Sequence, residues 1–311
     1  MNQLNYGFKF TEISIKNNLF IKRAKNEEGA IKIRNETQFY LALKEKNINL
    51  CMPALIYYDA NEIHIEYIAN AVNLTEVINK DNWKFYVDLI FQKLNNIHSI
   101  SIDKPVAEIL NDIDIETSDK LMKRYNETNW LAVANEKDLN MNKINYVNNI
   151  KIKNIEYYSS QINRKIKEII ISQKLNKYNL IHGDTHLGNI LSANNNLYFI
   201  DPRGYFGNTK KYGLKQYDYA KLLFGISGYS IFDTMQIDEL IIENENIRID
   251  FIKKYEYIFA EDYFDELTIL FALSIWLGNN SCFLDINKKI TSLMIAYYYC
   301  EKYLIRLNNY I

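Results

Sequence analysis

The sequence predicts an α+β fold in two lobes. A small antiparallel-sheet lobe covers residues 1–69, and a larger, mostly helical lobe covers residues 70–311. Three observations carry that expectation. Strand-like segments alternate with turn residues around one long helical stretch in the first 68 residues. Helical periodicity dominates from Leu74 onward. Near residue 190 a hairpin pattern interrupts the helices, beside a loop dense in Asp, Asn and His.

The elements follow in order. Phe8 to Ile15 and Asn18 to Arg23 read as strands around a turn at Lys16, Asn17 and Asn18. Glu28 to Lys46 reads as a helix. Ala54 to Asp59 and Ile63 to Ile68 read as two more strands, joined through Ala60, Asn61 and Glu62. Trp83, Val87, Ile90, Leu94 and Ile97 recur in steps of three and four, the apolar face of a helix whose role is packing. Ile162 to Lys177 is a further helix. Tyr178 to Ile181 is a short strand, and Gly183 after it permits a sharp turn. Ile190 to Ser192 and Leu197 to Ile200 form a hairpin turned at Ala193 to Asn196. Several helices with aromatic-rich faces fill Gln216 to Ile311.

Composition bounds the function. The chain has 311 residues, 48% hydrophobic and 24% charged, with a net charge of −1. That is an ordinary globular balance without the basic footprint of a nucleic-acid binder. Three cysteines, Cys51, Cys282 and Cys300, show no metal-ligand spacing and read as reduced thiols of a cytoplasmic protein. Met1 to Gly7 lacks the basic start and apolar core of a signal peptide. The longest apolar run, Leu267 to Leu277, is too short for membrane insertion. The abundance of Ile, Asn, Lys and Tyr reads as the codon bias of an AT-rich genome.

The chemistry concentrates between Leu180 and Gly204. Asp184 precedes Asn189 by five residues, and Asp201 follows after one hairpin. One carboxylate addressing a hydroxyl, with an amide and a second carboxylate holding Mg²⁺ against ATP phosphates, is the layout of a phosphoryl-transfer site. Oxygen ligands suit Mg²⁺, a hard cation that shares its coordination with phosphates and water. The competing reading is a polar turn held by side-chain hydrogen bonds.

His182-Gly-Asp184, Asn189 and Asp201 resemble the catalytic loop and metal aspartate of the aminoglycoside phosphotransferase and choline kinase family, which has a protein-kinase-like fold. Leu94 to Ile100 resembles the Leu-His-x-Ile end of the helix that this family packs under its site. Tyr217 to Leu223 resembles its Trp-Asp-Leu-Ala segment. The resemblance covers roughly Lys22 to Phe224. Where many members continue with Trp-Glu or Phe-Gly, this chain has Asp201-Pro202-Arg203-Gly204. That feature resembles a subgroup associated with bacterial capsule and surface-polysaccharide genes.

The resemblance implies further roles. A strand lysine should hold the nucleotide phosphates, and Lys22, with Glu36 as its ion-pair partner, is preferred over Lys32. Lys32 lies only four residues before Glu36, too close for a strand and a helix turn between them. Backbone groups near Glu66 and Ile68 would hydrogen-bond the adenine. No glycine-rich loop covers the phosphates, because Gly7 is the only glycine before Gly29. His182 reads as a structural loop histidine and Asp218 as a buttress accepting backbone hydrogen bonds. His186 is a possible contact to phosphate or substrate. Arg203 either reads anionic charge or forms a salt bridge to a neighbouring carboxylate.

The expected activity is transfer from ATP to the hydroxyl of a small molecule. The first acceptor is a sugar or polyol intermediate of surface polysaccharide. Choline or ethanolamine is the alternative, caged by aromatics such as Tyr255, Tyr257, Trp276 and Tyr297 to Tyr299. Aminoglycosides come third, since a cationic drug needs an acidic cleft. A non-catalytic nucleotide-binding protein on the same fold is the rival class.

Overall fold

Asparagine does in this chain much of what glycine does elsewhere. The structure, a computed structural model, describes residues 10–130, 133 and 143–308. Among these, nine of the fourteen non-glycine residues at positive φ are Asn. Asn tolerates the left-handed region because its short amide bonds locally. Asn17 and Asn18 (φ 52° and 59°) turn β1 (Thr11–Lys16) into β2 (Leu19–Ala24). Consecutive positive-φ pairs are what tight hairpins require. The high Asn content therefore has a structural use beyond codon bias. Residues 1–9, including Gly7 and the Phe8–Lys9 start of the expected first strand, lie outside the described residues.

The chain divides into two compact units. One joins Met1–Asp103 to Lys177–Asp218; the other joins Lys104–Asn176 to Tyr219–Ile311. Strand pairing groups the central hairpin with the preceding segments in the first unit.

In the first unit, β1, β2, β3 (Leu55–Tyr58) and β4 (Glu62–Glu66) form an antiparallel sheet in the order β1-β2-β4-β3. Helix α1 (Glu27–Glu45) starts at Asn26, whose side chain accepts from the Gly29 amide at 2.9 Å. Ile33 and Tyr40 of α1 pack on Ile63 and Ile65, with Phe20 and Leu55 at the margin. After β5 (Val72–Asn73) and the single turn α2 (Leu74–Val77) comes α3 (Trp83–His98). Its buried face is the one the periodicity gives, extended by His98.

β6 (Ser101–Asp103), β9 (Lys177–Leu180) and β14 (Tyr212–Gly213) make a second small sheet. β10 (Ile190–Ala193) and β11 (Asn196–Phe199) form the expected hairpin, turned at Asn194 and Asn195, and β10 also pairs with β5 through Leu191 and Asn73. β12 (Tyr205–Phe206) and β13 (Thr209–Lys210) form a two-stranded ribbon.

The second unit contains α4 (Val106–Asp114), α5 (Lys120–Glu127), α6 (Ile155–Ser172), α8 (Glu266–Leu277) and α9 (Ile286–Asn308); α7 (Lys215–Phe224) runs from the first unit into it. α6 departs from expectation. It starts seven residues before Ile162, at the Asn154 cap, and ends before Lys177, which opens β9. Its end is a left-handed Lys174 (φ 52°), with the Leu175 amide donating to Ile170 and the Lys174 amide to Ile171. This stop geometry usually carries glycine, so a lysine there conceals it. The unit also has an unforeseen sheet, β7 (Tyr146–Val147), β8 (Ile150–Lys151), β15 (Ile241–Glu243) and β16 (Asn246–Arg248), in the order β15-β16-β7-β8. Strands of two or three residues are too short to display alternation. Among the described residues, no helix is long and apolar enough to cross a membrane.

Gly204 fixes how near α1 comes to the loop after Asp201. Its φ is +67°, and a Cβ there would stand 2.8 Å from the Asn35 carbonyl oxygen, one residue before Glu36. Gly204→Ala should lower unfolding free energy by about 2 kcal/mol, from the left-handed penalty and the clash together. Urea denaturation measures it, and an unchanged midpoint would show that α1 can yield.

Candidate active site

A buried carboxylate organises the site. Asp218, fully buried at the start of α7, accepts from the His182 amide at 3.0 Å and the Gly183 amide at 2.6 Å. It also accepts from the His98 Nε2 at the end of α3, at 2.9 Å. The Thr185 hydroxyl donates to its backbone oxygen. The expected buttress is therefore present, with His98 as a partner the sequence reading did not assign. β9 leads directly into this loop, and the Ile181 amide donates to Lys211 O.

Asp184 leaves the loop half-buried. Its amide donates to His182 Nδ1 at 3.3 Å. Asn189 Nδ2 donates to the Asp184 carbonyl at 2.9 Å and to its carboxylate at 3.3 Å. The Ile200 amide donates to Asn189 O, so the hairpin register carries Asn189 and the residue before Asp201 to one place. Asn73 Nδ2, on β5, donates to Gly188 O at 2.8 Å and holds the loop from the other side. Asp201 itself sits in the left-handed region at φ 56°, a local strain that the surrounding bonds must hold.

Lys22 on β2 is buried. Its Nζ lies 2.9 Å from both carboxylate oxygens of Glu36 and also contacts Asp201 Oδ1. The structure thus brings Lys22, Glu36 and Asp201 together. Lys32 is elsewhere: it lies within α1, exposed, with Nζ 3.8 Å from Glu28 and stacked over Phe10. The two chain groups proposed for a base lie at the end of β4. The Glu66 amide is used by Ala54 O and the Tyr67 amide by Asn18 O. Ile68 follows as the first residue past these sheet bonds.

His186 caps the 3₁₀ turn Leu187–Asn189, its Nδ1 accepting from the Gly188 amide at 3.1 Å, and its Nε2 stands 3.9 Å from Asp184 Oδ2. Arg203 lies with its guanidinium 3.8 Å above the Tyr205 ring, and Nη1 donates to the Tyr217 hydroxyl at 2.7 Å. Tyr205 and Tyr217 are partners that nothing in the sequence signalled, because their meeting depends on the β12 ribbon lying beside α7.

Asn189 and Asp201 suit Mg²⁺. An amide oxygen and one carboxylate are hard donors, and such sites take their remaining ligands from phosphate and water. Among the described residues, no three His, Cys, Asp or Glu side chains form a ready-made metal cage. Of the aromatic candidates for a choline cage, Tyr255 and Tyr257 are half-buried and the others are packed in the core. Trp276 and Tyr299 are fully buried, and bond Ser227 through the indole nitrogen and the phenol; Tyr297 and Tyr298 are also buried.

His182 is fully buried between Phe39 and Phe199, with ring centroids 5.9 Å away on each side. Burial pushes its imidazole down from 6.5 to about 4. As pH falls, unfolded chains take the proton first. Its stabilisation is therefore present above about pH 6.5, declines between 6.5 and 4, and is gone below 4, a span worth about 3 kcal/mol. His182→Asn should lose less stability than wild type between roughly pH 7 and pH 4.5. Urea titrations at the two pH values test this; equal losses would assign the acid sensitivity to other groups.

No protein-family model and no curated protein sequence matches this chain. Solved structures do: 94 chains match. One is choline kinase LicA from Streptococcus pneumoniae, at 13% identity and TM-score 0.51, covering 98% of this chain and 93% of that one. Another is aminoglycoside 2'-phosphotransferase-IIIa in its GDP complex, at 14% identity and TM-score 0.51, covering 95% and 91%. A third is glucosamine kinase with glucosamine, ADP and inorganic phosphate, at 14% identity and TM-score 0.50, covering 96% and 78%. At these identities the likeness is one of fold: the chain has the kinase-like α+β fold that its central motifs imply.

Proposed function

We propose that this protein is a phosphotransferase that uses ATP and Mg²⁺ to phosphorylate a hydroxyl group of a small molecule. The observation that carries the reading is the meeting of Lys22, Glu36 and Asp201 in the same unit that holds Asp184 and Asn189 on one braced loop. A merely polar turn would need neither a buried lysine nor a carboxylate in a strained conformation. The three similar structures, each a small-molecule kinase or phosphotransferase, support the same class.

In this mechanism Asp184 orients the acceptor hydroxyl and takes its proton. The acceptor oxygen bonds to the terminal phosphorus, and the bond from that phosphorus to the bridging oxygen breaks as ADP leaves. Asn189 and Asp201 would hold Mg²⁺, which when bound neutralises phosphate charge. Lys22, aimed by Glu36, would hold the phosphates, and the backbone near Glu66 and Ile68 would receive the base. Loose transition states of this kind depend on positioning and charge compensation more than on covalent catalysis. His186 stands near enough to Asp184 to hold its carboxylate in place.

The acceptor is a sugar or polyol intermediate of bacterial surface-polysaccharide synthesis, a reading supported by the Asp-Pro-Arg-Gly departure at 201–204. The choline or ethanolamine alternative loses support from the burial of Trp276 and Tyr297 to Tyr299. A cytoplasmic location follows from the use of ATP and fits the three free cysteines.

Asp184→Asn should cut transfer by about 10²–10⁴-fold, the usual contribution of a positioned base, while MgATP still binds. ³¹P NMR turnover against a panel of hydroxyl acceptors measures the first, and calorimetry the second. Wild-type turnover in this variant would remove Asp184 from the mechanism.

Asp201→Ala should weaken nucleotide binding in the presence of Mg²⁺ far more than in EDTA. Equal affinities under both conditions, for wild type and variant alike, would exclude Asp201 as a metal ligand.

A further inference from the structure

The turn that carries Asn189 is held from two sides. On one side lies His186, whose Nδ1 accepts from the Gly188 amide at 3.1 Å; a Cβ on Gly188 would stand 2.7 Å from its Cε1. On the other lies Asn73, whose Nδ2 donates to the Gly188 carbonyl at 2.8 Å. Both ends of the planar peptide between Gly188 and Asn189 are thereby fixed, the oxygen by Asn73 and the N–H by His186 O at 2.9 Å. The other backbone bonds of the turn are local: the Ile190 amide donates to Leu187 O and the Ile200 amide to Asn189 O. Among the described residues, Asn73 gives the only hydrogen bond that reaches Leu187–Asn189 from outside residues 182–200.

Asn73 is itself fixed through both ends of its side-chain amide. Its Oδ1 accepts from the Thr75 amide at 2.9 Å and caps α2, and its backbone pairs with Leu191 across β5 and β10. The two side-chain bonds define the orientation of the amide. Reversed, it would set nitrogen against an N–H and oxygen against a carbonyl. The cap needs only the oxygen, so the bond from the nitrogen to Gly188 is a separate function. Four residues separate Asn73 from Ile68. The segment proposed to receive the base therefore continues directly into this contact.

We infer that Asn73 is a positioning residue for the metal: by holding the Gly188 carbonyl it sets Asn189 in place as a ligand. This deepens the phosphotransferase reading and rests on it. The Asn189 Nδ2 is already committed to the Asp184 carbonyl and carboxylate, which leaves Oδ1 for Mg²⁺. A neutral amide oxygen brings no net charge to a hard cation, so its contribution depends on being held ready. Groups that hold a ligand in place in this way contribute about 10–100-fold to metal affinity or activity.

The test separates the cap from the donor. Asn73→Asp and Asn73→Ser both keep an oxygen that caps a helix. Neither offers an amide nitrogen to Gly188, and the serine adds no charge. Calorimetry measures the affinity for ADP with Mg²⁺ and again in EDTA. In both variants the gain in ADP affinity on adding Mg²⁺ should fall about tenfold, while affinity in EDTA stays at the wild-type value. Amide hydrogen exchange at Leu187 to Asn189 should quicken in the same variants, with β10 and β11 protected as in wild type. Asn73→Ala, which loses cap and donor together, should show the same Mg²⁺ effect with a lower Tm.

A thermal scan establishes that the variants compared are folded, and Asn73→Ser decides alone if Asn73→Asp does not fold. An unchanged Mg²⁺ gain in a folded variant overturns the inference and leaves the phosphotransferase reading standing. So does a loss of ADP affinity that is equal in Mg²⁺ and in EDTA, which would make Asn73 a brace of the nucleotide site as a whole. If wild type gains no ADP affinity from Mg²⁺ and phosphorylates no acceptor, the phosphotransferase reading fails and the inference falls with it.

Discussion

The site depends on one buried carboxylate. Burying Asp218 costs several kcal/mol of desolvation unless donors surround it, and three surround its oxygens: two consecutive loop amides and a histidine from the end of α3. The donors serve two demands of the fold. His98 ends the helix whose apolar face packs the interior, while the His182 and Gly183 amides begin the loop that carries Asp184. One ionic group therefore sets the position of the loop relative to the helix beneath it. Gly183, at φ +81°, lets the chain present both amides before it turns away.

A second electrostatic centre lies in the same unit. Lys22 is buried against two carboxylates of unlike origin, Glu36 on α1 and Asp201 at the hairpin's exit. An ammonium with two such partners is tolerable in a poorly solvated place, and three fixed charges have few alternative arrangements. The approach of Gly204 to Asn35 keeps α1 near the loop following Asp201, so the pair and the loop are positioned together. The same loop then carries Arg203 onto the Tyr205 ring.

The candidate site could be read from the sequence because its parts lie close along the chain. His182 to Asn189 and the two strands to Ile200 form a local unit, and their turn, Asn194 with Asn195, states its own geometry. Spacing favoured Lys22 over Lys32, and the structure puts Lys22 on Glu36 and Lys32 beside Glu28. Other features were hidden for definite reasons. The end of α6 uses a lysine where the common signal is glycine. The sheet of the second unit is built from strands too short to alternate. The pairing of the hairpin with β5, Leu191 with Asn73, joins strands separated by more than a hundred residues.

By itself the sequence determined the fold class, the His-Gly-Asp loop with its following hairpin and the candidates for each role, because periodicity, turn chemistry and short motif spacing are encoded within a few tens of residues. Only the tertiary structure decided which candidates meet. It gave His98 to Asp218, set Lys22 between Glu36 and Asp201, stacked Arg203 on Tyr205 rather than leaving its partner open, and closed the aromatic helices into core. Those outcomes are fixed by desolvation and packing among residues far apart in the chain. A buried charge or ring finds its partner only once the backbone has brought the two together.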